Sequence, residues 1–181
     1  MDCRLVVAQT NPTLGDLRAN LEEHLQQIDA VAGAADLILF PELSLTGYFL
    51  KDQVADVALS LDDAFLRPLL ERSRHLSIAL GLVERSPEGR LFNSLVFLED
   101  GRVLGVHRKV HLVSYGLFDE GRDFAAGEEF RVIESRHGRF GPLICEDMWH
   151  MPGAYTYFLD DADALLVARR GGAGCTHRVG N

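Results

Sequence analysis

The sequence predicts an α/β domain with a mixed sheet. Strand-like and helix-like segments alternate in its first half, and later strand-like segments are separated by short turns. Alternation favours parallel strands with helices on at least one face, whereas short turns favour antiparallel hairpins. The 181 residues, 47% of them apolar and 25% charged, are enough for one compact domain with a real core.

The first half of the chain supplies two strands and two helices. Residues 4–9 are apolar and β-branched, and the turn at residues 11–16 leads into a helix predicted over residues 17–32. The apolar residues of this helix recur with a period near 3.6, as expected of a face packed on a sheet: Leu17, Leu21, Leu25, Ile28 and Ala32. Residues 37–40 form a short apolar run before Pro41, which predicts a buried strand, and residues 63–75 are predicted as a second helix.

The second half of the chain is richer in strands. We predict three of them over residues 78–84, 92–99 and 103–107, and Asp100-Gly101 between the last two is typical of a hairpin turn. Residues 130–135 and 139–145 form a second predicted hairpin around His137-Gly138, and residues 164–167 read as an interior strand.

Charge and composition exclude several classes of protein. A net charge of −9 and a pI near 5.2 argue against a nucleic-acid surface, which needs clustered cations, so a small-molecule partner is expected. No apolar run approaches the roughly 18 residues that span a bilayer, and the N-terminus lacks the features of a secretory signal. Three cysteines form neither a paired framework nor a zinc motif. We therefore expect a cytoplasmic protein without a membrane partner.

Three segments place a reactive side chain directly after a predicted strand, where functional loops usually lie. The first delivers Glu42 behind Pro41. A carboxylate beside a buried strand loses water, which raises its pKa and makes it a usable proton acceptor near neutral pH. Taken alone, the commoner interpretation of Glu42 is a solvated loop acid.

The second segment places Lys109 after the strand predicted over residues 103–107. An ammonium held in a pocket can stabilise the oxyanion of a tetrahedral intermediate, although a lysine taken alone is more often a surface residue. His107 and His111 have the spacing of a metal pair on a helix. They lie in a strand-to-loop context without an intervening glutamate, so a metal site is not predicted here.

The third segment ends the strand of residues 139–145 at Cys145. A thiol at a strand end, just before a turn or a helix start, meets backbone N–H groups that favour the thiolate, and the same groups can bind an oxyanion. The alternative is a buried and inert cysteine, the common fate of a free thiol.

Together these segments resemble the carbon-nitrogen hydrolase (nitrilase) superfamily, whose members carry a Glu–Lys–Cys triad in this chain order. The motifs that carry the resemblance are Pro41-Glu42 with Gly47-Tyr48, Arg108-Lys109 with His111-Leu112, and Ile144-Cys145-Glu146-Asp147. Residues 115–120 and 145–150 are most similar to the glutaminase domain of glutamine-dependent NAD synthetases and to stand-alone relatives. The resemblance covers roughly residues 4–168.

The resemblance implies both a fold and a chemistry. The fold is an incomplete α-β-β-α nitrilase-type sandwich with a mixed sheet. Cys145 is implied as the nucleophile, Glu42 as the base and Lys109 as the oxyanion partner. Glu120 matches the second glutamate that positions the lysine, and the backbone N–H of Glu146 is expected to help hold the oxyanion. Neither a metal nor a cofactor is implied.

The resemblance also implies partners. Tyr115 and Trp149 match substrate-binding positions, and the substrate class is a small amide, with glutamine as one candidate. A homo-oligomer formed through helices at the flank of the site and a separate synthetase polypeptide are further expectations. Two other outcomes stay open: acyl transfer to an amine instead of water, and an inactive remnant or binding module that keeps the triad.

The chain departs from the family after residue 168. Residues 1–168 are interpreted as the hydrolase domain, whereas residues 169–181 contain four glycines and no apolar period, which predicts an unstructured tail. Family members continue with further strands and helices. The domain is therefore expected to be C-terminally incomplete, through a truncated gene or a shifted reading frame, and the isolated chain is expected to aggregate or to need a partner.

Overall fold

The computed structural model describes residues 3–115 and 119–170. Eight strands are found in this part of the chain: β1 (Leu5–Val7), β2 (Leu37–Leu39), β3 (Ser77–Arg85), β4 (Leu91–Glu99), β5 (Arg102–Arg108), β6 (Ile133–Ser135), β7 (Gly138–Ile144) and β8 (Ala164–Ala168). The α-helices are α1 (Leu17–Val31), α2 (Arg67–Arg72), α3 (Glu120–Asp123) and α4 (Met151–Leu159). Short 3-10 helices span Lys51–Gln53, Ala64–Leu66 and Cys145–Trp149.

The larger sheet has five strands in the order β1-β2-β3-β4-β5. β1, β2 and β3 are parallel, because α1 and then α2 carry the chain back between them. β3, β4 and β5 are antiparallel and are joined by short turns. The mixed α/β architecture predicted from the alternation of segments is confirmed.

The smaller sheet has the order β6-β7-β8 and packs face to face with the larger one. β6 and β7 form the predicted hairpin, and α4 connects β7 to the parallel strand β8. Leu39 and Phe97 of the large sheet share a buried cluster with Phe140 and Ile144 of the small sheet, and the rings of Phe97 and Phe140 stack at 6.0 Å. Two sheets and flanking helices make up the layers of a sandwich.

The helix α1 covers the outer face of the large sheet, and its position follows its apolar stripe. Asp16 caps it by accepting a hydrogen bond from the backbone N–H of Ala19 at 3.0 Å. Ile28 is buried in the cluster beneath the helix, and the leucines of the stripe pack around it. Asn20 and His24 are buried as well, which the apolar pattern did not indicate.

The extent of two predicted elements is wrong. The helix predicted over residues 63–75 is shorter in the structure. The α-helix α2 spans only Arg67–Arg72, and the 3-10 turn Ala64–Leu66 precedes it. Pro68 lacks an N–H and is compatible only with the first turn of a helix, so the α-helix cannot begin earlier. The strand predicted over residues 130–135 is shortened to β6.

The helix α4 leaves an apolar face in water. Gly153 and Tyr157 are buried against the small sheet, whereas four large side chains on the other face are exposed: Met151, Tyr155, Phe158 and Leu159. Among residues 3–115 and 119–170, no helix has the length and hydropathy needed to cross a membrane.

Candidate active site

The ends of three strands bring the side chains of Glu42, Lys109 and Cys145 to one edge of the sandwich. Glu42 follows β2, Lys109 follows β5 and Cys145 follows β7. Lys109 Nζ donates to Glu42 Oε1 at 2.7 Å and to Glu120 Oε1 at 2.8 Å. Lys109, Glu42 and Glu120 expose only 1%, 3% and 6% of their surfaces, so these charges meet in a site that is almost closed to water.

The two oxygens of Glu42 have different surroundings. Oε1 accepts from Lys109 and from the amide of Asn93 at 2.9 Å, whereas Oε2 has no hydrogen-bond partner among the described residues. Burial raises the pKa of Glu42 above its usual range, against the opposing charge of Lys109. The direction predicted from the sequence is confirmed, and one carboxylate oxygen remains available as a proton acceptor.

Gly81 of β3 lets the Glu42 loop lie close to the sheet. A Cβ at residue 81 would come within 2.3 Å of the backbone N of Leu43 and 2.6 Å of the carbonyl O of Pro41. The backbone N–H of Leu45 donates to Gly81 O at 2.9 Å, so the loop is tied to the strand where it passes. Glycine is required here by the approach of another backbone rather than by a positive φ.

Lys109 is held as a cation. Burial by itself would lower the pKa of Lys109, but the negative charges of Glu42 and Glu120 outweigh it and raise the pKa above the ordinary value. The backbone on either side is fixed as well, because the N–H of Lys109 donates to Asn93 O at 2.9 Å and Gly127 N donates to Lys109 O at 2.8 Å. A positive charge is therefore present at a defined point of the site.

Glu120 begins the short helix α3 and connects three parts of the site. Its Oε1 accepts from Lys109 and from the hydroxyl of Tyr48 at 2.6 Å, and its Oε2 accepts from the backbone N–H of Val113 at 2.9 Å. Burial, followed by the hydrogen bond to Glu120, raises the pKa of Tyr48, which therefore stays a hydrogen-bond donor. Tyr48 lies in the Gly-Tyr motif of the sequence, although the sequence did not indicate its contact.

Cys145 is the first residue after β7 and has a left-handed backbone, with φ of 44°. Such a φ is unusual for a residue other than glycine, and it marks the sharp turn that presents the thiol at the strand end. Burial raises the pKa of Cys145 to about 11, with the negative charge of Glu42 as the next cause. The expectation that nearby N–H groups favour the thiolate in the resting site is therefore wrong, because burial and Glu42 act more strongly.

Asp147 is a buried residue of the site that the sequence analysis did not single out. Its carboxylate is fully inaccessible to water and accepts hydrogen bonds from both the Cys145 turn and the segment after Lys109. A signal was present, since an aspartate three positions after a strand end is well placed to cap the following turn. No sequence pattern indicated that residues 107–111 would donate hydrogen bonds to Asp147.

The remaining predicted residues lie at the margin of the buried cluster. Glu146 is partly buried and accepts a hydrogen bond from the hydroxyl of Tyr115 at 2.9 Å. Tyr115 is largely exposed, and the hydrogen bond to Glu146 raises its pKa. Trp149 ends the 3-10 helix with 72% of its surface exposed, outside the buried cluster. The roles of Tyr115 and Trp149 in substrate binding stay predictions.

His107 and His111, weighed as a metal pair, both contact Asp147. His107 Nε2 lies 2.9 Å from Asp147 Oδ2, and His111 Nδ1 lies 3.1 Å from Oδ1. No group of three or more His, Cys, Asp or Glu residues suited to a metal ion is found within residues 3–115 and 119–170. Residues 171–181 of the predicted tail lie outside the described residues, and the domain boundary at 168 stays a prediction.

Sequence comparison relates the chain to enzymes that act on carbon–nitrogen bonds. The carbon-nitrogen hydrolase family matches residues 4–178. The glutamine-dependent NAD(+) synthetase of Thermotoga maritima is 34% identical over 151 residues, which cover 81% of this chain and 26% of that protein. An (R)-stereoselective amidase of a Pseudomonas species is 36% identical over 136 residues, which cover 74% of this chain and 48% of the amidase.

Comparison of structures also finds a glutamine-dependent NAD+ synthetase and a member of the nitrilase superfamily. The glutamine-dependent NAD+ synthetase of Acinetobacter baumannii superposes with a TM-score of 0.81 at 31% identity, over 92% of this chain and 32% of that one. Saccharomyces cerevisiae Nit3, of the nitrilase superfamily, gives 0.80 at 23% identity over 92% of this chain and 64% of its own, and shows the shared fold. The chain thus spans about a quarter of the Thermotoga synthetase and about half of the amidase. It belongs to the carbon-nitrogen hydrolase family.

Proposed function

We propose that this chain hydrolyses the carbon–nitrogen bond of a small amide through a thioester on Cys145. The observation that carries the proposal is the difference in surroundings between the two carboxylate oxygens of Glu42. One of its oxygens is held by Lys109 and Asn93, while the other is buried and lacks a hydrogen-bond partner among the described residues. A buried carboxylate with a raised pKa and an unoccupied lone pair is suited to general-base catalysis.

In acylation, Glu42 Oε2 takes the proton of the Cys145 thiol while the sulfur attacks the substrate. Because the thiol pKa is near 11, little thiolate exists at rest, so proton transfer is coupled to attack on the substrate. The sulfur bonds to the carbonyl carbon, and the carbonyl electron pair moves to the oxygen. The oxyanion is stabilised by the Lys109 ammonium and by the backbone N–H of Glu146.

Collapse of the adduct breaks the carbon–nitrogen bond. Protonated Glu42 gives its proton to the departing nitrogen, so that ammonia leaves and a thioester remains on Cys145. Glu42 then takes a proton from water, the hydroxide adds to the thioester, and the second adduct expels the cysteine sulfur, which regains the proton. The products are one carboxylic acid and ammonia, and Glu42 serves as base and acid in turn.

Glu120 is proposed to keep Lys109 in place through this cycle. Lys109 bonds to both glutamates, so its position does not depend on Glu42 alone. When Glu42 accepts a proton, its attraction for the ammonium weakens while that of Glu120 persists. The cation is then free to follow the developing oxyanion without leaving the site.

Glutamine is the first substrate candidate, because the relatives include glutamine-dependent NAD(+) synthetases. In that case the ammonia would serve a synthetase. A small amide other than glutamine is the second candidate, on account of the related amidase.

The test is ammonia release from glutamine and a panel of small amides by the purified chain. We expect Cys145→Ala to abolish release and the matched Cys3→Ala variant to keep it, with both variants folded by circular dichroism. Release that survives Cys145→Ala would contradict the proposal.

The same assay separates the alternatives. Acyl transfer to an amine would yield ammonia together with a new amide instead of the carboxylic acid, which mass spectrometry of the products detects. An inactive remnant or binding module would release no ammonia from any amide while folded, and Cys145 would be acetylated by a reactive ester no faster than Cys3.

A further inference from the structure

We propose that Asp147 is a positioning residue that holds the Cys145 turn and the Lys109 segment in one fixed geometry. The inference rests on the proposed function, since it assigns to Asp147 the alignment of the nucleophile with its oxyanion partner. Asp147 itself is placed behind the reacting groups and acts through the backbone of the residues beside them.

The contacts of Asp147 divide between its two oxygens. Oδ1 accepts from the backbone N–H of Val110 at 3.1 Å and of His111 at 2.8 Å, and lies 3.1 Å from His111 Nδ1. Oδ2 accepts from the backbone N–H of Ile144 at 3.1 Å and lies 2.9 Å from His107 Nε2. These contacts engage the lone pairs of a carboxylate almost completely.

On the Cys145 side, Asp147 closes the turn that carries the nucleophile. Ile144 and Asp147 flank Cys145, and the hydrogen bond from Ile144 N–H to Asp147 Oδ2 spans the residue with φ of 44°. A left-handed φ is costly for a residue with a side chain and persists only where its surroundings hold it. The carboxylate supplies that constraint and so fixes the direction of the thiol.

On the Lys109 side, Asp147 binds the two backbone N–H groups that directly follow the lysine. The chain enters this segment from β5 and leaves it at Val110 and His111, which are both fixed on Oδ1. One carboxylate therefore ties together two segments that are about 36 residues apart in sequence, each carrying one reacting group.

His107 keeps the carboxylate oriented. It packs against Phe130 with ring centroids 5.7 Å apart and donates from Nε2 to Asp147. Burial opposes ionisation of Asp147, but the hydrogen bond from His107 and the backbone N–H groups lower its pKa below the usual range. The acceptor oxygens therefore stay charged across the neutral range, where the proposed chemistry takes place.

The test compares Asp147→Asn with Asp163→Asn. Asp163 also binds a backbone N–H, that of Arg139 at 2.7 Å, but at the opposite end of β7 and away from the reacting groups. Asp147→Asn keeps the size of the side chain but leaves one acceptor oxygen instead of two, so either Ile144 or the Val110–His111 pair loses its acceptor. The probe is the ester 4-nitrophenyl acetate, and peptide mass spectrometry after rapid quenching measures the acetylation rates of Cys145 and Cys3 in the same sample from pH 6 to 9.

We expect Cys145 of the unaltered chain and of Asp163→Asn to be acetylated at least tenfold faster than Cys3 near neutral pH, although its pKa is raised, because Glu42 takes the proton during attack and Lys109 stabilises the oxyanion. In Asp147→Asn the acetylation rate of Cys145 should fall at least tenfold near neutral pH and should rise steadily with pH, as for a thiol that reacts only as its thiolate, while the Cys3 rate stays unchanged. In Asp147→Asn the kcat for ammonia release should decrease, whereas the KM should stay unchanged. A merely structural role would alter Cys3 and Cys145 together.

The remaining outcomes separate the positioning role of Asp147 from the proposed function. A Cys145 rate that is the same in Asp147→Asn and the unaltered chain overturns the positioning role and leaves the proposed function in place. A Cys145 that reacts no faster than Cys3 in the unaltered chain overturns the proposed function, and the inference with it. If Asp147→Asn unfolds, His107→Gln decides: a threefold or larger loss at Cys145 supports the inference, and an unchanged rate overturns it.

Discussion

Arg108 and Lys109 are neighbours at the end of β5, yet they sit in two differently built clusters of buried charge. Arg108 pairs with Glu84, whose oxygens are all occupied, since Oε1 accepts from Arg108 Nη2 and Oε2 accepts from Arg108 Nε at 2.9 Å and from Ser94 at 2.6 Å. The guanidinium also lies 4.1 Å from the ring centroid of Phe92. Both oxygens of Glu84 are used in this cluster, which links β3, β4 and β5.

The Lys109 cluster is incomplete by comparison. It has one cation for two buried carboxylates, and Glu42 Oε2 lacks a hydrogen-bond partner among residues 3–115 and 119–170. An unpartnered buried acceptor costs free energy that a purely structural cluster would avoid. A buried carboxylate is common to both clusters, whereas only the Lys109 cluster has an unused acceptor close to a thiol, which marks it as the candidate for chemistry.

Removal of Lys109 should give the largest effect. Lys109→Met leaves Glu42 and Glu120 buried together without a cation, so we expect loss of measurable ammonia release and a decrease of about 4 kcal/mol in the free energy of unfolding. Urea denaturation and the ammonia assay measure the two effects. Ammonia release by folded Lys109→Met at the rate of the unaltered chain would show that Lys109 takes no part in the reaction.

Crowding of the Glu42 loop should come next. Gly81→Ala places a Cβ against the backbone of Pro41 and Leu43, and we expect it to cost about 3 kcal/mol of stability and to displace Glu42. Gly121→Ala, where the added Cβ meets nothing within 4 Å, is the control and should change neither stability nor activity. Equal effects of the two variants would contradict the close approach at Gly81.

Removal of Arg108 should affect stability alone. Arg108→Met leaves Glu84 buried with only its Ser94 bond, and because 34% of the Arg108 side chain is exposed, we expect a loss of about 2 to 3 kcal/mol. Ammonia release by the folded variant should stay within about threefold of the unaltered chain, as expected for a residue away from the chemistry. A loss comparable to that of Lys109→Met would remove the distinction between the clusters.

The smallest effect concerns a neutral buried network beside the Glu42 loop. His24 Nδ1 donates to Asn20 O at 2.7 Å, and Nε2 accepts from the Ser44 hydroxyl at 2.9 Å. Burial lowers the pKa of His24 to about 4. Between pH 4 and 6.5, His24 is protonated in the unfolded chain but neutral in the folded chain. The free energy of unfolding is therefore undiminished above pH 6.5 and decreases as the pH falls towards 4.

Denaturation at pH 7 and pH 5 measures this dependence. We expect His24 to contribute a loss of about 2 kcal/mol on going to pH 5, which His24→Gln should remove and the exposed control His75→Gln should retain. A pH dependence identical in all three chains would show that His24 is not held neutral.

The parts of the site that the sequence could predict are those that lie at strand ends. Glu42, Lys109 and Cys145 each follow an apolar run, so each was predictable as a residue of a functional loop at a strand end. Their meeting was implied only by the family resemblance, because β3 and β4 separate β2 from β5 and β7 lies in the other sheet. Asp147 and Asn93 were not predictable, because they act on backbone or side-chain atoms about 36 to 51 residues away, and no local pattern encodes such partners.

In the fold as well, features encoded locally were predictable, whereas features that depend on distant partners were not. The periodicity of α1 and the turns of the two hairpins are local signals, and those elements are confirmed. The bounds of α2 depend on Pro68, and the burial of His24 depends on Ser44 from a distant loop. The pKa of Cys145 could not be predicted from nearby N–H groups, because burial of the thiol and the charge of Glu42 act on it only in the folded chain.

The proposed mechanism requires Glu42 to take the proton of Cys145, and the rate of acetylation by 4-nitrophenyl acetate measures this step. The thiol displaces nitrophenolate from this ester, and intact-mass measurement after rapid quenching follows the thioester in the unaltered chain, in Glu42→Gln and in the matched control Glu84→Gln. We expect Glu42→Gln to lower the acetylation rate by about a thousandfold. Its stability should stay within about 1 kcal/mol, because burial of a charged Glu42 is itself unfavourable. Acetylation of Cys145 in Glu42→Gln at the rate of the unaltered chain would contradict the account.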